Sequence, residues 1–482
     1  MQGAAFPARL LRVLVFLAIV AACVPAATSA ARPMLIGFQD DPGFRWRADR
    51  DAVLTRAAKA HATIVRATAH WWQIATHRPQ NALDSFDPAY RFEDLDELVR
   101  NAQLKGMTVM LTIWGTPGWA NGDRSPNYAP DRMTDLRAFA YALADRYSGR
   151  RPGFPFVGYY TVWNEPNSGV FLAPTFADDG TPVAPLTYAR ICHAVYEGLK
   201  TANPRAEVAV GQTSSRGHER AGRGPSLAPG TFAQLLAQVD PYLPFDAWAH
   251  HPYSDIGYGP SQRYRFPNVN LRTLHEFEAK LDIWFRRPDI PIWISEYGCE
   301  TRPGRRGGVT LAQQASYARQ ALEIAAADPR VGMFIWFTFR DDPSAKTWDS
   351  GLIADDNRRK PAYDAFAERA ASLDARNPVV SVVPGLARPW IRIPVWELAV
   401  RDGAGARIGA RISVYSRGRL VGRATPEAQI ADDGYAAFRL PIGLVEPGAR
   451  YSVFLGDIND IHGNRISRRA TVVGLSRLVS AR

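Results

Sequence analysis

Two glutamates stand at the ends of two short apolar segments, and the two contexts match. Glu165 follows the segment 156–162 and directly precedes Pro166, and Glu296 ends the segment 291–295. Glycoside hydrolysis requires two carboxyl groups that face each other across a pocket, because one donates a proton and the other attacks the sugar or activates water. A single glutamate in such a place is more often a helix cap or the partner of an arginine. Two in matched contexts favour the catalytic interpretation.

Both segments are typical of strands buried on both faces of a parallel sheet, since they are short, aromatic and β-branched, with polar residues only at their C-terminal tips. Proline disfavours helical geometry in the residue before it, so we expect Glu165 at the last strand position, its carboxylate at the strand mouth. Strand-like and helix-like segments alternate throughout residues 34–373, which predicts an α/β fold, a (β/α)8 TIM barrel with its site at the C-terminal strand ends. The predicted strands are 34–41, 63–72, 107–114, 156–165, 207–211, 246–250, 291–296 and 333–337.

Asn164-Glu165 at the end of the fourth predicted strand and Glu296 at the end of the seventh resemble the clan-A retaining glycoside hydrolases, nearest to families 5 and 39. The resemblance covers roughly residues 34 to 370. It implies that Glu165 is the acid/base and Glu296 the nucleophile, whereas the residues alone leave open which glutamate is the acid. It also implies retention of configuration, with carboxyl groups about 5 to 5.5 Å apart.

The same resemblance implies roles for other residues at the strand ends. Arg66 on the second predicted strand would contact the nucleophile and hold it ionised, since a nearby cation lowers the pKa of a carboxyl group. Asn164 would donate a hydrogen bond to the sugar 2-hydroxyl. For Arg66, a purely structural role is the alternative. Three further positions match the clan pattern, namely His251 and Tyr253 in a His-x-Tyr context, and Trp336 under the sugar at the cleavage point.

Two points about these positions stay open in the sequence. His250 precedes His251, and the adjacent pair leaves undecided which imidazole faces the site; a core histidine is the alternative for either. Trp114 ends the third predicted strand, where an indole face offers a platform for a sugar ring, and the chain contains 13 tryptophans. Most tryptophans nevertheless belong to a hydrophobic core, so we expect a substrate contact only from those at strand ends.

Arginines are numerous in the loops that follow the predicted strands five, six and seven. They would suit an acidic sugar, because a guanidinium binds a carboxylate in a bidentate manner, or they are solvated loop charge. The formal charge of +11 likewise indicates an anionic glycan or a cell surface, with an arginine-rich proteome as the alternative. No nucleic-acid-binding motif is present, so nucleic acid is not an expected partner. The arginines are Arg216, Arg220, Arg223, Arg263, Arg265, Arg302, Arg305 and Arg306.

The first 30 residues have the pattern of a signal peptide, with Arg9 and Arg12 before the apolar run 13–22. This predicts an exported, soluble protein, secreted or held in the cell envelope, since no later apolar run is long enough to span a bilayer. Residues 20–23 also resemble a lipoprotein box, so a lipid anchor at Cys23 is the alternative. Cys192 and Cys299 fall on different parts of the predicted barrel, and we expect two free thiols.

The composition changes after a linker near Asn377-Pro378. Short alternating runs at 396–400, 411–415 and 451–455, separated by turn residues, predict an all-β sandwich over 378–482. Residues 457–464 faintly resemble bacterial immunoglobulin-like domains. Packing on the barrel, glycan binding and a spacer role all remain open for this domain.

Together these features predict a secreted retaining glycoside hydrolase that cleaves β-glycosidic bonds inside a polysaccharide. The alternatives are an exo-glycosidase, a transglycosylase, and an inactive glycan-binding protein or adhesin of the cell surface. Neither metal-ligand spacing nor a phosphate-cradling glycine loop occurs, so no metal or cofactor is expected, and we expect a monomer. Cellulose, hemicellulose, β-1,3-glucan and a bacterial exopolysaccharide all remain possible substrates, since a fold does not fix the substrate.

Overall fold

The computed structural model describes residues 34–151, 154, 156–222, 224–302, 306–342, 348–373, 390–394, 406–416, 419–430, 435–442, 451–459 and 465–468. The predicted signal peptide with Cys23, the linker at Asn377-Pro378 and the predicted strand 396–400 lie outside the described residues. Cys192 and Cys299 are both buried and free, as predicted.

Eight parallel strands form a closed barrel in which each strand pairs with its neighbour in sequence and the eighth pairs with the first. Phe38 lies opposite Trp336 where the barrel closes. The α/β barrel predicted from the sequence is thereby confirmed. The strands are β1 Leu35–Gln39, β2 Ile64–His70, β3 Thr108–Trp114, β4 Tyr159–Val162, β5 Glu207–Ser214, β6 Ala247–His251, β7 Ile292–Tyr297 and β8 Val331–Phe337.

Helices surround the barrel because each has one apolar face. Glu93–Leu104, for example, buries Leu95, Leu98, Val99 and Ala102, a helical repeat that ends just before Gly106, whose φ of 77° favours glycine. In the described part of the chain, no helix has both the length and the hydrophobicity needed to cross a membrane. The helices are Arg50–Lys59, Trp71–Ile74, Glu93–Leu104, Gly118–Asn121, Met133–Arg146, Ala184–Ala202, Pro229–Val239, Leu274–Trp284, Leu311–Ala327 and Pro361–Leu373, with a π-helical turn at Pro42–Trp46 and a 3-10 turn at Leu271–Thr273.

The side chains inside the barrel form a small apolar layer beneath the mouth. Because successive side chains of a strand point to opposite faces, the residues two positions further along each strand also point inward, one layer closer to the C-terminal end. This rule places Arg66, Thr112, His251 and Phe337 at the mouth. The layer consists of Ile64, Met110, Ala209, Ala247, Ala249, Trp293, Met333 and Ile335.

The C-terminal region is entirely β in its described residues, as predicted. Its strands are β9 Trp390–Pro394, β10 Arg407–Ser416, β11 Arg419–Ala424, β12 Glu427–Gln429, β13 Tyr435–Arg439, β14 Tyr451–Asn459 and β15 Arg465–Arg468. One antiparallel sheet has the order β11-β10-β14-β15, with β12 paired to β10, and a second sheet pairs β9 with β13. The alternating runs 411–415 and 451–455 lie in β10 and β14.

Candidate active site

The two glutamates meet at the mouth of the barrel. Glu296 lies on β7 and Glu165 lies three residues beyond the end of β4. One oxygen of each glutamate and one ring nitrogen of His251 all lie within 4.8 Å of one another. The side chains are 18% exposed for Glu165 and 10% for Glu296, so both are shielded yet reachable from solvent. Such a close approach of two oxygens is consistent with the carboxyl separation of about 5 to 5.5 Å in retaining glycosidases, and it favours retention over inversion, for which the groups stand about 6.5 to 9.5 Å apart.

Glu165 is not an extended strand residue, and the sequence-based prediction of its backbone was wrong. Its φ is +37° and that of Trp163 is +65°, so two left-handed residues turn the chain sharply after β4. The turn is held in place because the Glu165 N–H donates to the Gln212 carbonyl at 3.0 Å and the Trp163 N–H to the Ile113 carbonyl at 2.8 Å. These contacts with β3 and β5 outweigh the preference that Pro166 gives to the residue before it.

Glu296 points into the mouth because β7 is irregular. The pairing register between β7 and β8 shifts between Ile294 and Tyr297. The side chains of Ile294 and Tyr297 both point outward, toward the surrounding helices. Strict alternation over three residues would turn their side chains to opposite faces. The shift therefore accommodates one extra residue, which lets Glu296 face the barrel axis.

Arg66 holds the Glu296 carboxylate from below. The guanidinium is 1% exposed, forms an ion pair with Glu296 Oε1, and donates to the Ser295 carbonyl at 3.1 Å. Its Nε donates to Thr112 Oγ1 at 2.9 Å, and it also bonds Gln39. The Tyr253 hydroxyl donates to Glu296 Oε2 at 3.1 Å. Gln39 went unnoticed in the sequence because a glutamine at a strand end carries no catalytic signal.

The surroundings of Glu296 keep it ionised. Burial alone would raise its pKa, but the charges of His251 and Arg66, together with the hydrogen bonds from Arg66 and Tyr253, hold the pKa below its ordinary value. An ionised carboxylate is what nucleophilic attack on a sugar requires.

His251, rather than His250, faces the site. His251 Nδ1 lies 2.8 Å from Glu165 Oε1 and 3.5 Å from Glu296 Oε2. His250 points outward, where it bonds Thr213 and the Val269 carbonyl, and complete burial lowers its pKa to about 3. The strand's alternation thus resolves the ambiguity of the histidine pair.

Asn164 is oriented by two donors. Its side-chain oxygen accepts from Arg66 at 3.0 Å and from Gln212 Nε2 at 3.2 Å. Since both donors occupy the oxygen, the amide nitrogen is the end left to donate to a ligand. Gln212 also donates to the Trp163 carbonyl at 2.6 Å, so it fixes both the turn and the amide. No pattern in the sequence indicated this role of Gln212.

Trp336 does not lie under a sugar at the cleavage point, which corrects the prediction from the sequence. It has no exposed surface, packs on Phe366 outside the barrel, and its indole N–H donates to the Ser350 carbonyl at 2.9 Å. The alternation of β8 turns the next residue, Phe337, to the mouth instead. Trp348 packs against it with ring centroids 5.6 Å apart and is 41% exposed. Its place in a loop, well beyond the strand end, is why the sequence did not indicate it.

Trp114 lies at the mouth as the third strand ends. It is half-buried, its indole N–H donates to the Phe171 carbonyl at 3.2 Å, and its ring meets that of Trp163 edge-on at 6.5 Å. One face of the site beside Glu165 is therefore aromatic.

Several of the loop arginines predicted for an acidic sugar have partners within the chain. Arg216 is paired with Asp255, Arg263 bonds Glu276 at 2.7 Å, and Arg302 donates to the Gly308 carbonyl at 2.5 Å. Arg220, Arg265 and Arg306 are exposed, while Arg223 and Arg305 lie outside the described residues. Pairing within the chain reduces the positive charge that an acidic ligand would meet.

Glu165, His251 and Glu296 are also residue types that bind metal ions. The Arg66 guanidinium already provides a positive charge in contact with Glu296, and it opposes a second cation at the same carboxylate. The donor set therefore fits a nucleophile and a proton donor better than a metal centre.

The sequence matches the family model described as Cellulase (glycosyl hydrolase family 5) over residues 31–338, which is more than half of the chain. Among curated proteins, no sequence matches this one.

Solved structures resemble the chain at low sequence identity. A family 39 glycoside hydrolase from Bacteroides cellulosilyticus WH2 has a TM-score of 0.52 and 17% identity, over 88% of this chain and 83% of the other. A glucosidase from Croceicoccus marinus has a TM-score of 0.53 and 14% identity, over 85% of this chain and 96% of the other. At these identities the similarity concerns the fold.

Proposed function

This chain belongs to the cellulase family, glycosyl hydrolase family 5, and is a retaining glycosidase of clan A, and we propose that it hydrolyses β-glycosidic bonds within a polysaccharide. Glu296 is the nucleophile and Glu165 the acid/base. The observation that carries this proposal is that the two carboxyl groups have different partners. Glu296 forms an ion pair with Arg66 and accepts a hydrogen bond from Tyr253, whereas Glu165 is hydrogen-bonded to His251.

In the first step, Glu296 attacks the anomeric carbon as the bond to the leaving oxygen breaks. The attack forms a covalent glycosyl-enzyme, and Glu165 transfers its proton to the leaving oxygen. Glu165 Oε1 is hydrogen-bonded to His251 Nδ1, which leaves Oε2 to carry the transferred proton.

In the second step, a water molecule replaces the leaving group. Glu165, now ionised, takes a proton from this water as it attacks the anomeric carbon, and Glu296 departs as a carboxylate. Two inversions give net retention. Arg66 contacts Glu296 throughout, so it stabilises the carboxylate both before attack and as it leaves.

Asn164 contributes binding energy at the transition state. Its oxygen is fixed by Arg66 and Gln212, which directs the amide nitrogen to the 2-hydroxyl of the sugar at the cleavage point. Hydrogen bonds to this hydroxyl strengthen as the oxocarbenium-like transition state forms.

The test is sugar release from a panel of neutral and acidic β-glycans by the wild type, Glu165→Gln and Glu296→Gln. We expect release from one class of glycan, lost in both variants. Glu165→Gln should still form the glycosyl-enzyme from an aryl glycoside whose leaving group needs no proton, which gives a burst of one phenolate per enzyme, because Glu165 is then missing only as the base of the second step. Proton NMR of the first product should show retained configuration. An inverted product, or full activity in Glu296→Gln, would contradict the assignment.

The endo mode is tested separately. Internal cleavage lowers the viscosity of a polymer long before much reducing sugar appears, whereas removal of end units releases sugar at nearly constant viscosity. We expect the first pattern. Release of single sugars alone would replace the endo proposal by an exo-glycosidase.

We also propose that the chain is exported, on the basis of the charged and apolar residues of its first 30 positions. Mass spectrometry of the mature N-terminus distinguishes the two routes. Cleavage near Ala30 indicates a secreted protein, and a lipid-modified Cys23 indicates an envelope anchor. An intact Met1 contradicts export.

A further inference from the structure

Four aromatic rings gather at the ends of β2 and β3, beside the carboxylate pair. His70 lies at their centre, with ring centroids 6.4 Å from Trp46, 6.3 Å from Trp72 and 5.7 Å from Trp114. Trp72 and Trp114 both stand edge-on to the imidazole. The sequence singled out only Trp114 among these residues. Trp72 ended the predicted second strand, but the structure ends β2 at His70 and places Trp72 in the short helix Trp71–Ile74, and Trp46 ends the π-helical turn Pro42–Trp46.

Two of the indoles are unusually open to solvent. Trp46 is 51% exposed and Trp72 is 36% exposed. Tryptophan is usually highly buried, and neighbouring exposed aromatic residues mark ligand-binding grooves in soluble proteins. The exposed indoles of Trp46 and Trp72 therefore indicate a ligand-binding surface.

The exposed rings are nevertheless held firmly. The Trp46 indole N–H donates to Asp94 at 3.3 Å, and the Arg45 guanidinium lies 5.2 Å from its ring centroid. Arg45 itself is buried and forms ion pairs with Asp41 at 2.6 Å and Asp94 at 2.7 Å. A ring fixed before the ligand arrives loses little conformational entropy on binding.

Trp72 is held by a close approach to the backbone. Gly115 has a φ of +83°, and a Cβ at this position would lie 2.6 Å from Trp72 Cδ1. Only glycine permits both this backbone geometry and this contact. The loop after β3 is thus shaped around the indole.

His70 supplies the polar group of the cluster. It is the last residue of β2, on the inward face, and it is half-buried. Burial, with the charge of Arg45, lowers its pKa despite the nearby carboxylate of Asp41, so the imidazole is neutral at ordinary pH. A neutral imidazole can exchange hydrogen bonds with a sugar hydroxyl.

The cluster adjoins the cleavage point through two strands. Arg66, which bonds Glu296, lies four residues before His70 on β2. Trp114 meets Trp163, which stands two residues before Glu165. One glycan chain would therefore place one sugar unit at the carboxylate pair and another on the cluster.

We propose that Trp46, His70, Trp72 and Trp114 form a second sugar-binding subsite, the β1–β3 subsite, which binds a neutral sugar unit of the chain being cleaved. The indoles stack on the apolar face of the ring and His70 bonds a hydroxyl. The charged groups beside it are Asp41, Asp94 and Arg45, two anions and one cation, so an acidic sugar finds no free guanidinium there. The inference rests on the proposed function for the cleavage point.

The test compares kcat/KM on neutral β-linked oligosaccharides of increasing length with kcat/KM on an aryl glycoside of a single sugar. In Trp46→Ala and His70→Gln, we expect the ratio of long to single-sugar kcat/KM to fall about tenfold, equivalent to ~1.4 kcal/mol of lost binding. The matched control is Phe86→Ala, since Phe86 is also 51% exposed but packs on Phe154. Its ratio should equal that of the wild type.

Each outcome decides the proposal. An unchanged ratio in both variants, or an equal loss on the single-sugar substrate, overturns the subsite. A gain from acidic oligosaccharides equal to that from neutral ones overturns the preference for neutral sugars. If the wild type cleaves nothing, the proposed function has failed, and calorimetric titration of the same oligosaccharides still decides. Binding that is weakened in Trp46→Ala supports the subsite, and binding that is absent or unchanged overturns it.

Discussion

Replacing Tyr253 by phenylalanine removes one hydroxyl from the nucleophile and little else. That hydroxyl donates to Glu296 Oε2 at 3.1 Å. The ring is held independently, since it stacks on Tyr297 with centroids 6.1 Å apart and packs on Trp348 at 5.4 Å. Phenylalanine keeps these contacts, so Tyr253→Phe tests the hydrogen bond alone.

The size of the effect follows from the charge of the acceptor. A hydrogen bond to an ionised group contributes about 1.5 to 3 kcal/mol. At 1.36 kcal/mol for each pKa unit, its loss raises the pKa of Glu296 by about 1 to 2 units. The pKa rises because the hydroxyl stabilises only the ionised carboxylate. The ion pair with Arg66 persists in the variant, which limits the shift.

The assay is the pH dependence of kcat/KM on an aryl glycoside, because its acid limb reports the pKa of the nucleophile in the free enzyme. We expect the limb of Tyr253→Phe to move to higher pH by about 1 to 2 units, so the loss of activity is greatest in acid. Tyr90→Phe serves as the control, since the Tyr90 hydroxyl donates to the Ala82 carbonyl away from the site. An acid limb that coincides with that of the wild type, whatever the rate, would refute this reasoning.

Three further predictions concern stability and the mouth. Burial raises the pKa of Glu278 to about 8, so its carboxyl group destabilises the fold increasingly as the pH rises from about 4.5 to about 8. In urea unfolding at alkaline pH, the free energy of unfolding of Glu278→Gln should therefore exceed that of the wild type by up to ~5 kcal/mol. A difference that does not depend on pH would contradict this. Asp96→Asn should lose about 3 to 5 kcal/mol, since it breaks the buried pair with Arg146, and a loss below about 1 kcal/mol would mean that the pair behaves as an exposed one. Phe337→Ala should lower kcat/KM with little change in the free energy of unfolding. Trp336→Ala should instead lower the free energy of unfolding by about 3 to 5 kcal/mol, because the side chain is fully buried. The reverse pattern would mean that Trp336, and not Phe337, contacts the substrate.

The barrel could be predicted because its strands are short and apolar on both faces. The same property hides which side chains face inward. A strand such as β8, with the sequence Val331 to Phe337, shows no alternation of polar and apolar residues from which to infer its inner face. The resemblance therefore placed Trp336 at the mouth, whereas the side chain found there is that of the next residue, Phe337. On β2 the inner face was readable, since the polar residues Arg66, Thr68 and His70 alternate with apolar ones, and Arg66 requires a buried acceptor.

Backbone irregularities were the second hidden feature. The left-handed φ of Glu165 and the register shift in β7 both arise from contacts with strands that are distant in sequence. No local signal opposed the extended geometry that Pro166 favours. Both irregularities occur at a carboxylate of the site, where local preference is commonly overruled by the geometry that chemistry needs.

The difference between the two glutamates is what the sequence could not supply and the structure does. Both end an apolar segment, and their residue types are identical. Arg66 and Tyr253 both donate to Glu296, so its charged form is stabilised, as a nucleophile requires. Glu165 is more exposed and bonds only a ring nitrogen of His251 among the described side chains, so one of its oxygens stays available for proton exchange. Unequal surroundings thus divide one pair of identical side chains into an attacking group and a proton donor.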